Sequence, residues 1–184
     1  MNKVTLDPGK GGSNFGTVYG DLIEKNINLN IAIKCKEELL RHGILVEMTR
    51  DSDCYVGLSE RAVKANNNDS DAFVSIHCNG GSGARGELVY SINNARGLNL
   101  AYKISNEIRN IGQRAIKIYN RLGHGFVDYN AVVREVKMES IIIKCAFVNN
   151  DTDNQLINTV EKQEVYGIAI AKGILEHFSV EYKD

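Results

Sequence analysis

The chain has a single proline, Pro8, no charge excess and no apolar run longer than a few residues, and each of these absences excludes a class of protein. With one proline there is no Pro-rich linker to separate domains. Lys and Arg number 22 against 23 Asp and Glu, a formal charge of −1. A global positive field of the kind that gathers nucleic acid or anionic membrane is therefore absent. Apolar runs such as Ile141 to Ile143 fall far short of the roughly 20 residues that a membrane-spanning helix needs. No basic start leads into an apolar stretch, so no secretory signal is expected. The four cysteines, Cys35, Cys54, Cys78 and Cys145, form no CxxC pair and no zinc-knuckle spacing. Reduced thiols packed as small hydrophobes are the expectation for them.

What is present is enough for a core. At 184 residues and 43% hydrophobic content, one domain spanning 1–184 can bury its own interior without disulfide or metal staples. Val4 and Leu6 mark a first strand. Helical periodicity runs from Glu24 to about His42, with Ile27, Ile31, Cys35 and Leu39 on one face and Gly43 as the stop. Ile44 to Thr49 reads as a strand, Leu58 to Asn67 as a short helix and Ala72 to His77 as a buried strand. Gly80, Gly81 and Gly83 mark a loop before the strand GELVYS, and Leu98 to Ile111 forms an amphipathic helix. Two further strands are predicted, AVV near Val132 and SIIIKCAFV near Ile142, followed by two helices ending near Phe178. Strands separated by helices at this spacing predict an α/β fold: a single domain with a mostly parallel central sheet and helices on both faces.

In open sheets of this kind, ligands collect at the carboxyl ends of the strands. Those ends here are Asp7 to Gly12, His77 to Asn79, and Lys144 to Asn150. The first, DPGKGG, lacks the GxxxxGK[ST] spacing of a phosphate-binding loop, and no helix starts directly after its lysine.

Read in order, DPGKGG, GDLIEKNINLNIA (Gly20 to Ala32), VEMTRDSD (Val46 to Asp53), LSERAVKAN (Leu58 to Asn66), AFVSIHCN (Ala72 to Asn79) and IIIKCAFVNNDTD (Ile141 to Asp153) resemble the zinc-dependent N-acetylmuramoyl-L-alanine amidases of the type 3 family. The resemblance covers Val4 to Leu175. It implies a zinc-peptidase-like fold and a role at the bond between muramic acid and the first L-alanine of peptidoglycan. It also implies two zinc ligands, Glu24 and His77. The family's remaining ligand, a histidine, corresponds to Lys10, and its catalytic glutamate to Lys144.

Two lysines at such positions alter the chemistry. A catalytic zinc takes about three protein ligands and keeps one position open. A lysine ligates only as the free amine, and an ordinary pKa of about 10.4 sets proton against metal at neutral pH. An ammonium at Lys144 cannot accept a proton from water, and loss of a general base costs about 10²- to 10⁴-fold in rate. Lys10 and Lys144 with Glu24 carry a net positive charge before any metal is added. The expectation is therefore a cleft in which Lys10 takes the ion's electrostatic place, paired with Glu24, and in which zinc is absent or weakly held. Zinc remains the implied cofactor if the site is active.

Three functions follow from the resemblance and the substitutions. The first is a catalytically impaired amidase homologue that binds peptidoglycan, a muropeptide or a protein partner. The second is a working zinc amidase of the autolysin or phage-lysin type, and the third a scaffold that binds no glycan. Nucleic acid and membrane insertion are not expected. The expected location is cytoplasmic until release, or within a longer cell-wall protein. Asn79 and Glu87 are weaker candidates for substrate contact. Arg50 and Arg61 read as structural, paired with carboxylates such as Asp53 or Glu60. Strand alternation turns Cys78 and Cys145 away from the site and into the core. His42 reads as a helix C-terminal charge, and His124 and His177 as loop or surface residues.

Overall fold

Alternation along the strands decides which side chains meet which helices, because successive residues of a strand point to opposite faces. The computed structural model describes the backbone of residues 1–184 and every side chain apart from that of residue 94. Strands β1 (Lys3–Pro8), β4 (Leu45–Met48), β5 (Ala72–Asn79), β6 (Gly86–Tyr90), β7 (Ile116–Tyr119) and β8 (Glu139–Phe147) form one sheet in the order β4-β1-β5-β8-β6-β7. All neighbours are parallel except β6 and β8, which run antiparallel. A two-stranded hairpin, β2 (Val18–Tyr19) with β3 (Leu22–Ile23), stands apart.

One face of the sheet carries the larger core. Val4, Leu6, Val74, Ile76, Leu88, Ile141 and Ile143 pack there against α1 (Glu24–Arg41), α3 (Leu98–Asn110) and α5 (Val160–His177). The predicted stripe of Ile27, Ile31, Cys35 and Leu39 is buried in it, as are Cys78 and Cys145. Where α5 crosses α3 the backbones nearly touch. A Cβ on Gly173 would lie 2.5 Å from the Ile104 Cα, so only glycine fits.

The opposite face is thinner. Phe73, Val89 and Ile142 pack against Ala62 and Ala65 of α2 (Leu58–Asn67) and Val132 and Val133 of α4 (Ala131–Glu135). Helices thus cover both faces of a mostly parallel sheet.

Two local expectations are corrected, and one strand is added. The AVV segment is the short helix α4 and not a strand. Its β-branched residues favour a strand weakly, and burial of Val132 and Val133 beside α2 outweighs that preference. The last two helices are in fact one, α5, preceded by a 3₁₀ turn over Asn154–Leu156. Strand β7 had no sequence expectation, being a four-residue edge strand with one exposed and three half-buried positions. No helix among the described residues is long and apolar enough to cross a membrane.

Candidate functional site

Asp7, Ser75, His77, Lys144 and Glu87 share strand parity with the residues that face α2 and α4, and they cluster at the carboxyl end of the parallel strands. Lys144 is in register with His77 on one side and with Glu87 on the other. Because β6 runs antiparallel to β8, Glu87 near its start reaches the same end of the sheet.

Asp7 ties this end together. Its Oδ1 accepts from Thr49 Oγ1 at 2.6 Å and from Arg61 Nη1 at 2.7 Å, and its Oδ2 accepts from Ser75 Oγ at 2.6 Å. Arg61 also donates to the Val56, Pro8 and Lys10 carbonyls. Arg50 donates to those of Pro8, Gly9, Lys25 and Ser52. Both arginines are buried braces of the loop after β1, but their expected partners are corrected: Asp53 pairs with Lys25 at 2.6 Å and Glu60 with Lys64 at 3.4 Å. A sharply turning buried loop leaves carbonyls without ladder partners, and a guanidinium supplies several donors at once.

Glu24, the first residue of α1, reaches across to β5. Its Oε1 lies 3.3 Å from His77 Nδ1 and accepts from the Cys78 N–H at 3.4 Å, while its Oε2 accepts from the Thr17 N–H at 2.8 Å. Burial pushes the carboxyl up, but His77, the Thr17 N–H and, more weakly, the charge of Lys10 outweigh it and hold it below the usual range. The His77 ring lies flat on Gly9, where a Cβ would come within 2.1 Å of it. Glycine at position 9 is therefore a condition for the histidine's placement.

Lys10 does not make the expected ion pair with Glu24. No carboxylate among the described residues lies within 4.0 Å of its ammonium, and both Glu24 oxygens are already engaged by nearer donors. The Lys10 backbone is left-handed, at φ 67°, an uncommon conformation for a residue with a side chain. Its side chain lines a cavity of about 290 Å³ together with His77, Tyr55 and Leu58. Lys144 lines a second cavity of about 210 Å³ with Asn130 and Ala131. The two cavities have Leu58, His77 and Val132 in common and form one cleft under α2 and α4.

Lys144 lies 3.4 Å from Glu87 Oε2. The Glu87 carboxylate is 5% exposed and also accepts from Arg85, 2.6 Å away, and from the Tyr119 hydroxyl at 3.0 Å. Burial pushes it up, and Lys144, Tyr119, Arg85 and Asn79 pull it further down, so it stays ionised below its ordinary range. Pressed between burial and this carboxylate, the Tyr119 phenol is pushed up to about 12. Asn79 sits half-buried at the end of β5 beside this group.

The resemblance implies zinc, and the donors do not fit it. Glu24 and His77 offer carboxylate oxygen and imidazole nitrogen, and the residue that the resemblance puts in third place is Lys10, whose side chain could ligate only as the free amine. No set of three His, Cys, Asp or Glu side chains among the described residues is placed to hold a metal ion. Cys78 and Cys145, the soft donors nearest in sequence, lie in the opposite core.

Several residues that shape the site had no assigned role in the sequence reading. Asp7 and Ser75 were visible only as members of motifs, and Arg85 and Tyr119, which clamp Glu87, carry no motif at all. Asn28 donates to the Gly9 carbonyl at 3.1 Å from one turn inside α1. Elsewhere, His42 caps α1 and accepts from the Lys183 N–H, and His124 is exposed in a 3₁₀ turn. His177 is corrected: it is the last residue of α5 and binds Glu139 at 2.6 Å. Cys54 is also corrected, being exposed where burial was expected.

Residues 4–176 match the family model described as N-acetylmuramoyl-L-alanine amidase. The probable cell wall amidase LytH of Staphylococcus epidermidis is 32% identical over 181 residues, covering 96% of this chain and 58% of that protein. The chain therefore spans little more than half the length of this curated relative. Cwp6 from Clostridium difficile superposes with a TM-score of 0.90 at 34% identity, covering 95% of this chain and 29% of that one. The N-acetylmuramoyl-L-alanine amidase AmiC2 of Nostoc punctiforme superposes at 0.86 with 29% identity and 97% coverage of both chains. Because the family model spans nearly the whole chain, and AmiC2 superposes over 97% of it, the chain belongs to the N-acetylmuramoyl-L-alanine amidase family.

Proposed function

We propose that this protein is a cell-wall-directed member of the amidase family that binds peptidoglycan material without efficiently hydrolysing it. The observation that carries this reading is the Lys144–Glu87 ion pair at the carboxyl end of β8. Lys144 stands at the family's general-base position, where an ammonium has no lone pair to take a proton from water. Glu87, the adjacent carboxylate, is buried and engaged by Lys144, Arg85 and Tyr119, so it is not free to replace the missing base.

The metal side of the reading rests on donor chemistry. Two protein donors leave a zinc ion short of the about three that catalytic sites use. Lys10 adds positive charge to the cleft, which raises the cost of a dication there. Glu24, His77 and Gly9 keep the cleft in shape in this reading. The location proposed is the cell wall side of a longer protein or a cytoplasmic store before release.

The test measures cleavage and retention on the same sample. Incubation with purified peptidoglycan should release no free L-alanine amino groups above the buffer rate, while the protein sediments with the insoluble wall. Release at a rate matching an active family member would contradict the reading and favour a working amidase. Neither release nor sedimentation would favour a scaffold.

A further inference from the structure

The two lysines also bear on what the cleft can bind. Lys10 lines one end of the cleft and Lys144 the other, with the apolar surfaces of Leu58 and Val132 and the His77 ring between them. Three carboxylates stand in or behind this wall, and each is already committed. Asp7 is paired with Arg61, Glu24 is bound to His77 and Thr17, and Glu87 is shared among Lys144, Arg85 and Tyr119. Four cations, Lys10, Arg61, Arg85 and Lys144, therefore face three carboxylates, leaving one positive charge over. The surplus is concentrated in the open cleft, because Asp7 with Arg61 and Glu87 with Arg85 are internal pairs at 2.7 Å and 2.6 Å. Lys144 is held from its carboxylate by 3.4 Å and its side chain remains 29% exposed, so it retains donor capacity for a second anion.

From this arrangement we infer that the cleft is a receptor for a peptide dicarboxylate, one carboxylate at Lys10 and the other at Lys144, with an aliphatic segment against Leu58 and Val132. The inference rests on the binding reading above and names its ligand class. Charge-assisted hydrogen bonds are roughly twice as strong as neutral ones, and the partly desolvated cleft walls strengthen them further. The stem peptides of peptidoglycan carry more than one carboxylate on a short peptide, which is the ligand class these two lysines would take. Lys10 and Lys144 are binding residues here, and no bond is made or broken.

The test is calorimetric titration of the whole protein with MurNAc-L-Ala-D-Glu, which has two free carboxylates, and with its diamide. The dianion should bind at least about tenfold more tightly than the diamide, since a hydrogen bond to a charged group is worth on the order of that factor. Lys10→Gln and Lys144→Gln should each remove most of the preference for the dianion over the diamide, and the double variant all of it. The preference should also shrink as salt rises from low to physiological strength. Equal affinity for the two probes, or a preference untouched by either substitution, would overturn the receptor even if the protein still sediments with intact wall. Cleavage of the dianion during titration would instead count against the impaired-hydrolysis reading, and the affinity ratio would still decide the receptor. Lys10→Gly serves as a second variant that removes the charge without forcing a side chain into the left-handed backbone at φ 67°. It should lose the preference as fully as Lys10→Gln does.

Discussion

Asp7 holds the loop after β1 by three side-chain hydrogen bonds, one of them within a salt bridge to Arg61 whose partners are 1% and 4% exposed. Breaking a buried pair from one side leaves the other charge uncompensated, at a cost of about 3–5 kcal/mol. Asp7→Ala is therefore expected to lower the unfolding free energy by about that much in urea titration. A loss below about 1 kcal/mol, the range of an exposed pair, would contradict the buried role of Asp7. Glu87 gives a prediction with a definite sign. Its folded carboxyl lies below its ordinary value, so in acid the unfolded chain binds the proton first. The stabilising contribution is full above the unfolded value of about 4.3 and is lost as pH falls through the lower folded value. The stability gap between wild type and Glu87→Gln should thus be constant near neutrality and narrow below about pH 4. A gap that widens in acid would reverse the assignment.

At the scale of elements, the close crossing of α3 and α5 at Gly173 makes a prediction against simple propensity. Alanine is better than glycine in a helix by about 1 kcal/mol. Yet a Cβ at 173 would meet Ile104 Cα at 2.5 Å, a backbone atom that cannot swing aside. Gly173→Ala is expected to destabilise by about 1–3 kcal/mol, with a matching fall in thermal midpoint. Stabilisation would show that the helices can separate without loss.

The same elements show what a sequence discloses. Helix α1 and strands β5 and β8 were legible because a 3.6-residue apolar stripe and unbroken apolar runs leave little choice. Residues 131–135 were not, because three β-branched or small residues fit either state and packing on α2 decides between them. The same limit applied in the cleft. Motif order brought Lys10, Glu24, His77 and Lys144 to one place, but the expected Lys10–Glu24 pair failed. Backbone N–H groups of Thr17 and Cys78 compete for the carboxylate, and no sequence pattern shows them. Tyr119 and Arg85 carry no pattern for a similar reason, since Tyr119 meets Glu87 only across the β6–β7 pairing and Arg85 only through its turn into β6.

For the whole molecule, an amidase-family sheet carries at the carboxyl end of its parallel strands a cleft lined by Lys10, His77 and Lys144, and the proposal is that the two lysines stand where the family has metal-site groups. Fold and family follow from nearly the full chain, while the proposed loss of hydrolysis turns on Lys10 and Lys144 among 184 residues. Zinc per chain tests that proposal most directly, taken by elemental analysis after purification without chelator and dialysis against a modest zinc excess. The wild type should hold less than about a tenth of an equivalent, and Lys10→His, which restores a third donor beside Glu24 and His77, should approach about one. Near-stoichiometric zinc in the unaltered protein would contradict the proposed loss of the metal site and return hydrolysis as the leading activity.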